Sequence, residues 1–169
     1  MTVYTTCTCR RGSMRIGITG HRGLNGDVER KVRQFLAAAL DEQMGPLTGI
    51  SCIADGPDAW FAEMILDRGG SLEVVVPAEE YRDSLPADHH PLYDQLLNRA
   101  AEVHHTGITV SDSAAHMAGS EVLVGLADLV LAVWDGLPAR GYGGTADVVA
   151  YAERCGVPVR ILWPEGAKR

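Results

Sequence analysis

Arg15-Ile16-Gly17-Ile18-Thr19 runs directly into Gly20-His21-Arg22-Gly23-Leu24-Asn25-Gly26. A short apolar run that ends in a glycine-rich loop reads as a strand turning sharply at its carboxyl end. The next segment has helical periodicity. Val28, Val32, Phe35, Leu36, Ala39 and Leu40 recur at the spacing of one helix face, until Gly45-Pro46 stops them. Asp27 is the expected N-cap, with Arg30 where a capping box would carry an acid.

The same strand–loop–helix unit recurs. Ile50-Ser51-Cys52-Ile53-Ala54 is an expected strand, and Asp55-Gly56-Pro57-Asp58 leads into a helix bearing Trp60, Phe61, Met64, Ile65 and Leu66. Pro57 suits a first helical turn, where its missing N–H costs nothing. Gly69-Gly70 ends that helix, and Leu72 to Val76 is the third strand. The polar stretch from Ala78 to Pro91 reads as a loop with a short turn. A helix is expected over 92–103, a short strand over 104–110, and a helix capped by Ser111-Asp112 running to about Leu126. Leu129 to Trp134 is nearly all apolar, as in strands buried on both faces. Gly144-Thr145 opens a helix through Glu153, and 157–162 is the last strand. Strands alternating with helices predict an α/β fold: one Rossmann-like, doubly wound, mainly parallel sheet with helices on both faces.

Length and composition agree with a single domain. The chain has 169 residues, 46% of them hydrophobic and 22% charged, within the roughly 100–200 residues of an ordinary domain. Residues 14–169 are read as that domain. Residues 1–13, polar and ending the run Arg10-Arg11-Gly12, are read as a disordered extension or as an upstream start before Met14. Fifteen basic against 22 acidic residues leave a net charge of −7. An acidic surface repels phosphate backbones, so no general nucleic-acid binding is expected. No apolar stretch reaches membrane-spanning length, so no membrane partner is expected. Cys7, Cys9, Cys52 and Cys155 make no metal or disulfide spacing. No metal-ligand set and no cofactor is read. With no export signal, reduced thiols point to the cytoplasm.

Ligands of such sheets bind beyond the carboxyl ends of the strands. That rule gathers three loops. In the first, Thr19, Gly20, His21 and Arg22 offer close backbone approach, a hydroxyl and a forked cation. The alternative is a tight turn with Arg22 in solvent. In the second, Asp55, Gly56 and Asp58 either complement a helix dipole or accept hydrogen bonds from ribose hydroxyls or a base. In the third, Asp135 lies at a strand end, and Gly143-Gly144-Thr145 precedes a helix whose free N–H groups can cradle phosphate. A flexible loop with a capped helix is the alternative there. His89, His90, His104 and His105 read as polar surface, while His116, with Ser113 and Ser120, is placed to face the cleft. No hydrolase triad order is present. Trp60, Trp134 and Trp163 are candidates for a dimer face.

Gly20-His21-Arg22, Asp55-Gly56-Pro57-Asp58 and Gly143-Gly144-Thr145-Ala146-Asp147, in this order and context, resemble the SLOG superfamily. This superfamily joins the SMF/DprA proteins with the LOG cytokinin-activating enzymes. The resemblance covers about 14–164. It implies a Rossmann-like sheet that binds nucleotides or their derivatives, as a bacterial sensor domain or as a nucleotide N-glycosidic hydrolase, often as a homo-oligomer. LOG enzymes carry Pro-Gly-Gly-x-Gly-Thr-x-x-Glu. Laid on this chain without gaps, Gly144 and Thr145 match, Arg140 falls on the proline, and Val148 falls on the catalytic glutamate. Asp147 is one residue earlier, a rotation of about 100° on a helix.

Binding of a nucleotide-like small molecule (related to AMP, ADP-ribose or NAD) is therefore the expected function. Gly143, Gly144 and Thr145 would take phosphate, Gly20 and Arg22 the opposite wall, and Asp55, Asp58 and Asp135 the hydroxyls or base. The enzymatic alternative makes Asp147 or Asp58 catalytic. A third reading is a ligand-free partner-binding protein.

Overall fold

The apolar runs assemble into one sheet. The computed structural model describes residues 12–168. Its strands are β1 (Met14–Gly20), β2 (Leu47–Ser51), β3 (Ser71–Val76), β4 (Glu102–His105), β5 (Leu129–Val133) and β6 (Val159–Ile161). They pair in the order β4-β3-β2-β1-β5-β6, and every pair is parallel. The helices are α1 (Gly26–Asp41), α2 (Pro57–Asp67), α3 (Tyr81–Ser84), α4 (His90–Asn98), α5 (Ser113–Leu126) and α6 (Thr145–Arg154). A 3-10 turn, Ala87–His89, precedes α4. The α/β, Rossmann-like expectation holds. Most of the expected extension, with Cys7 and Cys9, lies outside the described residues. Ser13 lies inside them, and its hydroxyl is 2.7 Å from that of Thr48.

Alternation along β1 distributes the helices. Ile16 and Ile18 face a core made with α1 and α2, through Val32, Leu36, Phe61 and Ile65. Gly17 points to the other face, where a Cβ would stand 2.6 Å from Leu123 Cδ2 of α5. That close approach requires a glycine. Gly49 of β2 does the same against α2, where a Cβ would lie 2.6 Å from Ile65 Cγ1. A second core cluster joins β3 to α4, α5 and α6 through Leu72, Val74, Leu96, Val124 and Ala152.

Several boundaries differ from the sequence reading. The N-cap of α1 is Asn25, whose side chain accepts from Val28 N, and not Asp27. β2 lies three residues earlier than expected, because Ile53 turns into the left-handed region at φ 49°. No strand continues through that conformation. The helix expected over 92–103 ends at Asn98, and residues from Glu102 onward pair with β3 as β4. Trp60 is buried, with Arg33 stacked 4.4 Å above its ring, so it is no part of an exposed face.

Beneath the sheet, Arg15 makes a forked pair with Glu73 at 2.8 and 2.9 Å and also donates to Leu126 O at the end of α5. His104 adds a third contact to Glu73 at 2.8 Å. Burial pushes the Glu73 carboxyl up, but the Arg15 and His104 hydrogen bonds outweigh it and hold it below the usual range. Among the described residues no helix is long and apolar enough to cross a membrane.

Candidate functional site

The sheet order reverses direction at β1. Chain order runs outward from β1 through β2 and β3 to β4, then returns to the other side of β1 as β5. Loops leaving β1 and β5 therefore diverge, and a crevice opens between them. A cleft of about 280 Å³ occupies that place. Thr19, Gly20, His21, Arg22, Asp58, Gly143, Gly144 and Thr145 all line it. The structure thus brings eight of the sequence-chosen residues to one cavity. Asp55, Gly56, Asp135 and Asp147 do not line it, and each does something else nearby.

Asp135 holds His21. Its Oδ1 lies 3.0 Å from His21 Nε2 and also accepts from Leu137 N at 3.0 Å. The Asp135 N–H also points to the same ring nitrogen at 3.3 Å, so the backbone and the side chain of Asp135 both meet His21 Nε2. His21 Nδ1 lies 3.4 Å from Thr145 Oγ1, and the edge of its ring meets Trp163 at 5.6 Å between centroids. Asp135, His21 and Thr145 thereby connect the end of β5, the β1 loop and the start of α6. Asp147 closes the glycine turn: its Oδ2 accepts from Gly143 N at 2.8 Å. Gly143 has φ 81°, and a Cβ there would lie 2.7 Å from Ser113 O, so the turn needs glycine on both counts.

The four long helices around the sheet differ at their starts. Asn25 caps α1 and Asp112 caps α5 through their side chains. The N-caps of α2 and α6 are Gly56 and Gly144, with no side-chain bond. Both of these helix starts adjoin the cleft. First-turn N–H groups have no intrahelical acceptor, and the helix dipole leaves positive character there. At the start of α6, Gly144 N bonds to Gly141 O and Asp147 N to Gly144 O, which leaves the Thr145 and Ala146 N–H groups to face the cleft, with the buried Thr145 hydroxyl beside them.

The opposite wall is built at the end of β2. Ile53 is a fully buried β-branched residue at positive φ, a conformation that costs roughly 1–3 kcal/mol. Its N–H donates to Ser51 Oγ at 2.9 Å, and its carbonyl accepts from His89 Nε2 at 2.9 Å. Its neighbours Cys52 and Ala54 line the cleft, as does Asp58. Burial pushes the Asp58 carboxyl up to about 7; the Ala54 N–H bond and the Arg22 charge oppose this, and the Asp55 charge adds to it. Arg22 forms an ion pair with Asp55 Oδ1, a contact of charge rather than of hydrogen-bond geometry.

Val148, on which the LOG glutamate falls, lines the cleft as an apolar side chain. His116 and Ser120 line it too, as their helix position suggested. His116 lies 2.9 Å from Ser111 Oγ, and burial followed by the Arg22 charge holds it below the usual imidazole value, against Asp112. Tyr81 was missed by sequence reasoning. It lies in the polar stretch, packs its ring edge on His116 at 5.5 Å, and burial holds its phenol well above the usual value. A lone aromatic among polar residues was the signal available for it.

No protein-family model matches the sequence, and no curated protein matches it. Solved structures do. DNA processing protein A (DprA) from Streptococcus pneumoniae is similar at a TM-score of 0.63 and 18% identity, over 88% of this chain and 50% of that one. DprA from Helicobacter pylori, a protein with a single-stranded DNA binding mode, is similar at a TM-score of 0.64 and 13% identity, over 88% and 64%. The molybdenum cofactor binding protein from Rippkaea orientalis is similar at a TM-score of 0.57 and 17% identity, over 89% and 77%. This chain spans about half the length of the pneumococcal DprA. The expectation of no general nucleic-acid binding is corrected by these likenesses, because the fold is shared with a protein that binds single-stranded DNA. The net charge of −7 is a sum over the chain, whereas binding is decided by local potential in a cleft or on one face. Strand order and these likenesses together show that the chain shares the fold of these DprA and molybdenum cofactor binding proteins.

Proposed function

We propose that this protein binds a nucleotide or nucleotide-derived small molecule in the cleft at the carboxyl edge of its sheet. The observation that carries the reading is the start of α6. It has no side-chain cap, opens on the cleft, and stands beside the buried Thr145 hydroxyl. Phosphate oxygens there would take the free N–H groups of the first turn and the hydroxyl of Thr145. Arg22, across the cleft, adds positive charge. Asp58, Tyr81, His116 and Ser120 line the remainder and offer both donors and acceptors to a ribose or ring. A volume of about 280 Å³ is at the small end of ligand sites, which run to roughly 300–1,000 Å³. It favours a mononucleotide over a dinucleotide.

A second reading, cleavage of the N-glycosidic bond, draws support from one observation. Asp58 is a cleft carboxyl held up to about 7, which suits a general acid near neutral pH. In that reading Asp58 gives its proton to the base as the N-glycosidic bond breaks, and the water that adds to the anomeric carbon releases a proton to solvent, from which Asp58 is reprotonated. Asp147 does not line the cleft, and its Oδ2 accepts from Gly143 N.

A thermal-shift panel of AMP, ADP, ADP-ribose and NAD, followed by chromatography of each mixture, tests both. A ligand bound only by the folded state raises the melting temperature by mass action. The expected result is a rise with AMP larger than with NAD. Intact AMP afterwards supports binding alone, and free adenine supports hydrolysis. No rise with any of them at millimolar concentration contradicts the proposal.

A further inference from the structure

The turn after β2 contains two left-handed positions. Gly56, at φ 95°, occupies one without strain, but Ile53, at φ 49°, occupies the other. A β-branched residue rarely stands there. Glycine would relieve the backbone, yet the fully buried Ile53 side chain is anchored in the core. Something outside the turn must hold the backbone, and its polar groups show what does. Ser51 Oγ takes the Ile53 N–H and itself donates to Asp58 O at 3.0 Å. His89, buried and at the end of the 3-10 turn, reaches across and donates Nε2–H to the Ile53 carbonyl.

We infer that His89 is a positioning residue for the cleft: by holding the Ile53 carbonyl it fixes the left-handed turn that presents Ala54 and Asp58 to the ligand. His89 itself does not line the cleft. It lines a separate cavity of about 260 Å³ with Asp55, Pro86 and Asp88. It therefore stands behind the turn, between two openings. Cys52 and Ala54, on either side of Ile53, both line the cleft. The Ala54 N–H is turned toward the Asp58 carboxyl, where it favours the charged form. Charged and titratable groups that act on Asp58 are Arg22 from the β1 loop, Asp55 of the same turn, Cys52 at the end of β2 and Tyr81 of α3. Without the His89 bond the strained carbonyl is free to rotate, and Ala54 N–H loses its aim.

This inference rests on the reading of the cleft as a ligand site, but its first readout does not need the ligand. In the wild-type protein the Ala54 amide resonance should follow the titration of Asp58. His89→Ala removes the donor beside an existing cavity and should uncouple that resonance from the titration. His89→Gln keeps an N–H donor and should retain the coupling. His89→Ala combined with Ile53→Gly should regain it, since glycine takes the left-handed conformation unaided, even though the lost Ile53 side chain lowers stability. AMP affinity should follow the same order, falling about tenfold in His89→Ala, as expected for loss of one hydrogen bond, and recovering in the double variant. A purely structural His89 gives the opposite pattern, in which the double variant is worse on every readout. Unchanged coupling in His89→Ala, or coupling that the glycine fails to restore, overturns the inference. If His89→Ala does not fold, loss of coupling in a folded His89→Gln does the same. Coupling that behaves as described in a protein that never binds AMP overturns the ligand reading and leaves the positioning role standing.

Discussion

Asp58 shows how much of this site depends on environment and how little on residue type. Its carboxyl is at the cleft, close to the Ala54 N–H and the Arg22 charge, and burial still holds it up to about 7. In the unfolded chain it titrates near 3.8. The folded state therefore binds the extra proton between these values, and stability drawn from Asp58 falls as pH rises from about 4 to about 7. Asp58→Asn removes that dependence while keeping an acceptor for Ala54 N–H. In urea denaturation at pH 5 and pH 8, the variant should gain on the wild type at pH 8, by on the order of 2 kcal/mol after discounting for the side chain's opening to the cleft. An equal difference at both pH values contradicts the raised acidity. The sequence marked Asp58 as a carboxylate at a helix start, but neither its burial nor its neighbours can be read from spacing. The same holds for the contacts from Asp135 through His21 to Thr145. They span separations of 114 and 124 residues, so no short motif carries them.

Strands and helices were legible wherever one physical cause acted alone. Short apolar runs gave β1, β3 and β5, and the Pro57 start of α2 and the Asp112 cap of α5 stand where their residue types place them. Legibility failed where a run continued past the end of its element. Cys52, Ile53 and Ala54 are as apolar as the strand before them, yet φ at Ile53 takes them out of it. Ala100 and Ala101 suit a helix, yet pairing with β3 begins at Glu102. In each case tertiary context overrode local pattern. Gly17 belongs to the same scale, since its reason is the α5 helix packed on it. Gly17→Ala puts a methyl group 2.6 Å from Leu123 Cδ2. It should lower stability by roughly 1–3 kcal/mol, the usual cost of overpacking a core. Gly17→Ala combined with Leu123→Ala should recover part of that loss. A neutral Gly17→Ala in the same denaturation experiment would mean that α5 is free to move off the sheet.

At the scale of the whole molecule, one topological event makes the site. The chain leaves the β4 edge, crosses to the far side of β1 as β5, and parts the loops at that point. Two helix starts without side-chain caps, those of α2 and α6, then adjoin one small cleft, while α1 and α5 have theirs closed by Asn25 and Asp112. Sequence order of the glycine and aspartate motifs was enough to place this cleft, because parallel α/β sheets put their loops at one edge. Net charge alone does not rule nucleic acid in or out, since the fold is shared with a protein that binds single-stranded DNA. The most direct measurement is backbone amide NMR of the whole chain during titration with AMP. The expected result is saturable movement of the Gly144, Thr145 and Ala146 amides, accompanied by Ala54 across the cleft. Amides that stay fixed at the start of α6 at saturating AMP, or that move only elsewhere on the molecule, would contradict a phosphate site there.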